Sequence, residues 1–119
     1  MPERRIVVIE PEGPREWYQP LEVFGEVEFF SPAGTIGPKL ARELARGSEA
    51  VIITSSCGFS AEDMDDLPTL RIIAKCGGKP SSVDVDAATG RGIAVTYVPG
   101  ANSSTVAEFT VMLILDCLR

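Results

Sequence analysis

Residues 83–108, VDVDAATGRGIAVTYVPGANSSTVAE, contain the pattern that decides the fold. Residues 84–89 have the composition of a short helix, and glycines follow where it should end. Residues 93–97 then form a predicted apolar strand. Thr105 and Glu108 have the spacing of a capping box that begins another helix. A helix, a strand and a second helix in such short succession are typical of an α/β protein with a parallel sheet.

The same alternation of strands and helices runs through the preceding part of the chain. The other predicted strands are residues 5–9, 27–30, 50–53 and 70–74, and the other predicted helices are residues 15–23, residues 38–46 and a short acidic helix capped by Ser60. The second strand is the most acidic, so we expect it near an edge of the sheet. Five strands with intervening helices predict a flavodoxin-like doubly wound sheet, of about five parallel strands flanked by helices.

Length and charge exclude several classes of protein. The chain has 119 residues, 45% of them apolar and 24% charged, which fits one soluble domain over residues 1–119. Its net charge of −6 argues against a surface for nucleic acid or anionic membrane. No apolar run is long enough to span a bilayer, and the N-terminal apolar run is too short for a signal peptide. These features predict a cytoplasmic protein with no membrane or nucleic-acid partner.

Cysteine and histidine usage limits the possible chemistry. Cys57, Cys76 and Cys117 are widely spaced and odd in number, which predicts reduced and mostly buried thiols. Asp63, Asp65 and the neighbouring acidic residues are expected to form a solvated helix face rather than a metal site. The chain has no histidine, so we expect no zinc site and no histidine that transfers a proton.

The run over residues 83–108 resembles the end of the substrate-binding domain in NAD-dependent D-2-hydroxyacid dehydrogenases, the group that includes D-3-phosphoglycerate dehydrogenase. The resemblance implies reduction of a 2-oxo acid, with hydride passing between NAD or NADP and C2 of a D-2-hydroxy acid. In that family the catalytic His and Arg and the nucleotide-binding domain follow this region. None of them is expected within residues 1–119, and no G-x-G-x-x-G pattern occurs there. We therefore expect the chain to contain no catalytic residue, to bind neither cofactor alone and to be inactive in isolation.

Three loops rich in glycine and serine follow the third, fourth and fifth predicted strands, where parallel sheets bind ligands. By resemblance, Ser55, Gly78, Lys79 and Asn102 are the substrate-binding positions. Gly78 would also contact the nicotinamide end of a cofactor held by the nucleotide-binding domain. The alternative is that these loops are ordinary turns between strands and helices, and that Lys79 is a solvated surface residue.

The sequence departs from the family pattern inside these loops. Lys79 stands where the family has a second glycine, and Ser81 and Ser82 stand where it has Asp and Asn. Thr54 replaces a residue that is often basic, which weakens the expectation of a phosphorylated substrate.

Residues 106–118 are apolar around nearly the whole circumference of the predicted last helix. A helix of this kind is normally buried on more than one side. We expect the sheet to cover one of these sides. By resemblance this is the interdomain helix, at about residues 103–118, and the nucleotide-binding domain covers the other side. In the isolated chain we expect a homodimer through this helix. The alternative function is a free-standing module that binds small carboxylates or dimerises, with no redox activity.

Overall fold

Five parallel strands form the centre of the structure, a computed structural model that describes residues 4–31, 36–54 and 57–118. The strands are β1 (Arg5–Ile9), β2 (Glu26–Phe30), β3 (Ala50–Ile53), β4 (Ile72–Lys75) and β5 (Ala94–Thr96). They pair in the order β2-β1-β3-β4-β5. This is the flavodoxin-like order, so the predicted fold is confirmed. β2 is an edge strand, as its acidic sequence predicts.

One face of the sheet holds the main core, beneath α1 (Pro38–Ala45), α2 (Ala61–Asp65) and α3 (Val85–Gly90). Alternate residues of β1, β3 and β4 point to this face, because side chains along a strand alternate between faces. The core residues of these strands are Val7, Ile9, Val51, Ile53 and Ile73, and the helices add Ala41, Ala45, Met64 and Ala88. The carboxyl ends of these strands are thereby fixed at one edge.

The opposite face of the sheet is only partly covered. A 3-10 helix (Arg15–Val23) lies near β2, and an open groove of about 510 Å³ runs beside it over β1, β3 and β4. Residues 15–23 were predicted as a helix, but Pro20 lies inside the segment and the turns are of the tighter 3-10 type. Trp17 is 72% exposed and Phe24 is 63% exposed, so these two aromatic rings do not close the face.

The last helix, α4 (Ser103–Cys117), corrects two predictions. None of its residues is buried, and the molecule extends 62 Å along its longest axis. The predicted contact between α4 and the sheet is therefore wrong for the described residues. The helix also begins before Thr105: Asn102 is its N-cap without a side-chain hydrogen bond, so the predicted capping box is not formed. Among the described residues, no helix is both long and apolar enough to cross a membrane.

The acidic helix α2 corrects a third prediction. Asp63 is buried, and its carboxylate accepts hydrogen bonds from the Ser60 backbone N–H (2.9 Å) and hydroxyl (3.0 Å). Arg42 Nη1 on α1 lies 3.4 Å from the same carboxylate. Asp63 is thus a structural residue that links α1 to α2, while Asp65 lies at the surface and pairs with Arg91. The ion pair with Arg91 lowers the pKa of Asp65.

The thiols are less buried than predicted. Cys57 is buried, Cys76 is half-buried and Cys117 is exposed on α4, and none of the three forms a disulfide. Cys117 is exposed because α4 does not pack on the sheet.

We predict that Glu28→Gln makes folding less stable at neutral pH and less sensitive to acid. Arg5 donates two hydrogen bonds to Glu28, at 2.7 and 3.0 Å, which join β1 to β2. These hydrogen bonds are the main cause that lowers the pKa of Glu28 below its ordinary value of 4.5. The ion pair therefore stabilises the fold at pH values above 4.5, and this stabilisation is lost as the pH falls below 4.5 and Glu28 is protonated. The expected loss at neutral pH is about 0.5–1 kcal/mol, since the pair is partly exposed.

Urea unfolding followed by the NMR signals of β1 amides, repeated across the acid range, measures this effect. Glu43→Gln is the control, because Glu43 is exposed on α1 and forms no ion pair with the described residues. A difference between Glu28→Gln and the parent protein that grows toward acid pH would contradict the prediction.

Candidate functional site

The loop after β4 lies beside the segment that leads from β5 into α4. The Val98 backbone N–H donates to the Gly77 carbonyl at 2.8 Å. A Cβ placed on Gly78 would lie 3.8 Å from the Val98 carbonyl oxygen, which is ordinary van der Waals contact. The two predicted ligand-binding loops are therefore neighbours in the structure.

A backbone bridge connects the segments that follow β3 and β4. The Phe59 N–H donates to the Ser82 carbonyl (3.1 Å), and the Asp84 N–H donates to the Phe59 carbonyl (3.0 Å). Gly58 is essential to this approach, since a Cβ there would overlap the Ser82 backbone oxygen. The bridge fixes where the β4 loop ends, and Asp84 then caps α3 by accepting from the Ala87 N–H.

The end of β1 adds an acidic group that the sequence analysis did not single out. Glu10 has a positive φ of 52°, an uncommon conformation for a residue with a side chain. Its carboxylate accepts a hydrogen bond from Thr54 Oγ1 at 3.2 Å. Position 54, which is often basic in the family that the chain resembles, therefore holds a hydroxyl group next to a carboxylate. The only sequence signal for Glu10 is that it directly follows a buried strand.

Tyr18 and Cys76 stay protonated at neutral pH. Tyr18 donates to the Glu12 carbonyl at 2.9 Å, and burial is the main cause that raises the pKa of its phenol, with Cys76 as a further cause. Burial also raises the pKa of the Cys76 thiol, and the charge of Glu12 adds to this. Neither group is suited to remove a proton near neutral pH.

Lys75 is a buried cation at the end of β4, and the sequence analysis missed it. It is 4% exposed, and its Nζ donates to Ser82 Oγ at 2.8 Å. A Cβ placed on Gly77 would lie 3.9 Å from Lys75 Cε, so the lysine side chain lies close to the loop after β4, residues 76–82, which we call the glycine loop. The signal available in the sequence was a lysine that continues an apolar strand directly into glycines.

The predicted substrate-binding residues differ in their surroundings. Gly78 and Lys79 are exposed at the surface of the glycine loop, and Asn102 is exposed at the N-cap of α4. The side chains of Lys79 and Asn102 make no hydrogen bond with the described residues. Ser55 lies outside the described residues. The structure therefore places Gly78 beside the β5–α4 segment, and the roles of all four residues remain predictions.

A cavity of about 600 Å³ has a lining that includes Phe59 and Ser82 and does not include Gly78 or Lys79. Its lining includes Glu62, Asp63 and Asp84, whose charges disfavour an anion. A substrate carboxylate therefore fits the glycine loop better than this larger space. In the described part of the chain, no three Cys, Asp or Glu residues are grouped as metal ligands.

The glycine loop fits only one end of a dinucleotide. Gly78 is exposed and has no side chain, so it leaves room for a flat ring to approach the backbone. The phosphates of a dinucleotide need a different element, a glycine-rich turn that opens a helix, and the sequence has no such pattern.

Comparisons with known proteins agree on one family. The family model for the D-isomer specific 2-hydroxyacid dehydrogenase catalytic domain matches residues 6–112. D-3-phosphoglycerate dehydrogenase from Archaeoglobus fulgidus is 35% identical over 81 residues, which cover 68% of this chain and 15% of that enzyme. The match thus spans less than a sixth of the relative.

Solved structures share the fold. A glyoxylate reductase from Paecilomyes thermophila superposes with a TM-score of 0.79 at 22% identity, covering 100% of this chain and 39% of that one. D-lactate dehydrogenase from Aquifex aeolicus, complexed with NAD and lactic acid, gives a TM-score of 0.74 at 18% identity, covering 92% of this chain and 32% of that one.

We predict that Gly58→Ala destabilises the protein by about 1–3 kcal/mol. The new methyl group would overlap Ser82 and force apart the backbone bridge that Phe59 forms with Ser82 and Asp84. Gly90→Ala is the matched control, since a Cβ at Gly90 meets nothing within 4 Å. Urea unfolding gives the free energies, and the amide signals of Phe59 and Asp84 report the bridge. Equal stability of the two variants would contradict the prediction.

Proposed function

The chain belongs to the D-isomer specific 2-hydroxyacid dehydrogenase family, and on that premise we propose that it binds a 2-oxo or D-2-hydroxy acid as the substrate-binding domain of an NAD(P)-dependent oxidoreductase. Residues 1–119 form this domain, with α4 as the interdomain helix. The substrate lies at the carboxyl edge of the sheet, between the glycine loop and the beginning of α4.

The observation that carries this proposal is a pair of available backbone donors in the glycine loop. The N–H groups of Gly78 and Lys79 donate to no group in the described part of the chain, and both residues are exposed. Consecutive N–H groups without partners bind small anions well. A carboxylate placed over this loop would receive both hydrogen bonds, and Asn102 and Ser55 complete the proposed set of substrate-binding residues.

The catalytic groups come from outside these 119 residues. When NAD or NADP is bound, its nicotinamide ring supplies or accepts the hydride at C2 of the substrate. The chain has no histidine, so an enzyme of this type needs a proton-transfer residue from another segment. We propose that Gly78 faces the nicotinamide end, that neither cofactor binds this chain alone and that the chain alone has no dehydrogenase activity.

The preferred substrate is a small monocarboxylate rather than a phosphorylated acid. Thr54 and Glu10 place a hydroxyl and a carboxylate where a phosphate would need a cation. Glyoxylate and pyruvate are accordingly the first compounds to test. Three cysteines without a disulfide fit a reducing, cytoplasmic location.

We predict that pyruvate shifts the amide NMR signals of Gly78 and Lys79 and that Gly78→Pro weakens binding about tenfold or more, since one hydrogen bond to a charged group is lost. Gly78→Ala keeps the N–H and meets only an ordinary contact with Val98, so its affinity should match the parent protein. Signals far from the loop verify that each variant folds.

A pyruvate titration that leaves both amide signals unmoved would contradict the proposed site. Equal affinities of Gly78→Pro and Gly78→Ala would exclude the Gly78 N–H as a donor. 3-Phosphoglycerate serves as the comparison ligand, and tighter binding of it than of pyruvate would contradict the proposed substrate class.

The exposure of α4 supports a second proposal, a homodimer in the isolated chain. Its apolar side chains are about half exposed on every side, including Phe109 (56%) and Leu113 (46%). Exposed apolar surface of this extent marks an interaction site. A second copy of α4 would cover one side of the helix, and the nucleotide-binding domain would take that place in a complete enzyme.

We predict that Leu113→Glu converts the dimer to a monomer, because it places a charge in the apolar helix surface. Light scattering over a range of protein concentrations measures the mass, with Glu108→Gln on the same helix as the control. A parent protein that stays monomeric, or a Leu113→Glu variant that stays dimeric, would contradict dimerisation through α4.

A further inference from the structure

We propose that Lys75 is a positioning residue for the substrate: its buried ammonium group, which is hydrogen-bonded to Ser82 at the end of the glycine loop, raises the affinity of that loop for carboxylates over neutral analogues. This inference rests on the proposed function, because it assumes that the substrate carboxylate binds at the N–H groups of Gly78 and Lys79. It adds a charged group to a site that would otherwise bind through backbone amides.

Lys75 has no charged partner among the residues that the structure describes. Its side chain is 4% exposed, and its single hydrogen bond to the described residues goes to the hydroxyl of Ser82. The ion pairs of the described part all join arginines to carboxylates, and none includes Lys75. A hydroxyl dipole offsets only part of the cost of burying an ammonium group. An anion bound nearby would supply the missing charge.

The position of Lys75 directs this charge at the glycine loop. The lysine lies at the end of β4 and Ser82 lies at the far end of the loop, so their 2.8 Å hydrogen bond joins the two ends of the loop. Lys75 Cε lies 3.9 Å from the Cβ position of Gly77, immediately before the two available N–H groups. The buried lysine side chain therefore lies close to the loop that carries these two N–H groups.

The surrounding charges make a cation necessary for an anionic ligand. Glu10 and Glu12 follow β1 on the same edge of the sheet, and Glu12 is close enough to raise the pKa of Cys76 at the start of the loop. Their negative charges repel a carboxylate, and the whole chain carries a net charge of −6. A buried ammonium group is screened by salt much less than the exposed Lys79 is. Lys75 is thus the cation best placed to offset these carboxylates.

A purely structural role for Lys75 predicts a different behaviour. In that case the lysine would only support the loop through Ser82, and removing either partner would weaken all ligands equally. Charge recognition instead predicts a selective loss of anions. The ratio of the dissociation constants for pyruvamide and pyruvate separates the two roles, because the amide is a neutral analogue of nearly the same shape.

The test is an NMR titration of the Gly78 and Lys79 amides with pyruvate and with pyruvamide, at constant ionic strength. Lys75→Met should weaken pyruvate binding about tenfold and change pyruvamide binding less than about twofold, as expected for loss of one charge interaction. Ser82→Ala removes the hydrogen bond but keeps the charge, so its ratio should stay near that of the parent protein. Lys75→Arg should also keep the ratio.

A measurement on the parent protein covers the case in which Lys75→Met does not fold. Saturation with pyruvate should shift the Lys75 Nζ resonance, and pyruvamide should shift it less. An unmoved Nζ signal, an unchanged ratio in a folded Lys75→Met variant, or the same selective loss in Ser82→Ala would overturn the role of Lys75 while leaving the proposed function intact. Absence of pyruvate binding to the parent protein would overturn both.

Discussion

The two backbone hydrogen bonds of Phe59, to Ser82 and Asp84, extend the pairing of β3 and β4 beyond the ends of the strands. They fix the far end of the loop after β4, and the hydrogen bond from Val98 to Gly77 fixes its start. Lys75 adds a hydrogen bond to Ser82 at the same far end. The close approach requires a glycine at position 58. The placement of the glycine loop, and hence of the candidate site, depends on this bridge.

Local sequence patterns were sufficient to predict most of the fold. Continuous apolar runs predicted the buried strands, and the caps formed by Ser60 and Asp84 are local interactions within a few residues. The failures involve contacts between distant segments. Asp63 looks like a solvated acid until Arg42, on another helix, is placed beside it. The predicted cap at Thr105 failed because Ser103 already lies inside the helix.

The candidate site was predicted less completely, for a related reason. Gly78, Lys79 and Asn102 came from a resemblance in short motifs, which identifies positions but not their electrostatic surroundings. Glu10 and Lys75 belong to no motif, and their importance depends on which side chain each meets across the edge of the sheet. Pairings of this kind follow from strand order and register. They become visible only when the tertiary structure is known.

The separation of α4 from the core has a consequence for cooperativity. Its backbone hydrogen bonds are not covered by the packed sheet, so amide protons of the helix should exchange with solvent without opening of the core. An isolated helix of 15 residues is only marginally stable in water. The sheet and α4 therefore form separate folding units, and no single unfolding free energy describes both. The fraction of molecules in which α4 is folded therefore depends on the partner that binds the helix, and this fraction rises with the concentration of that partner.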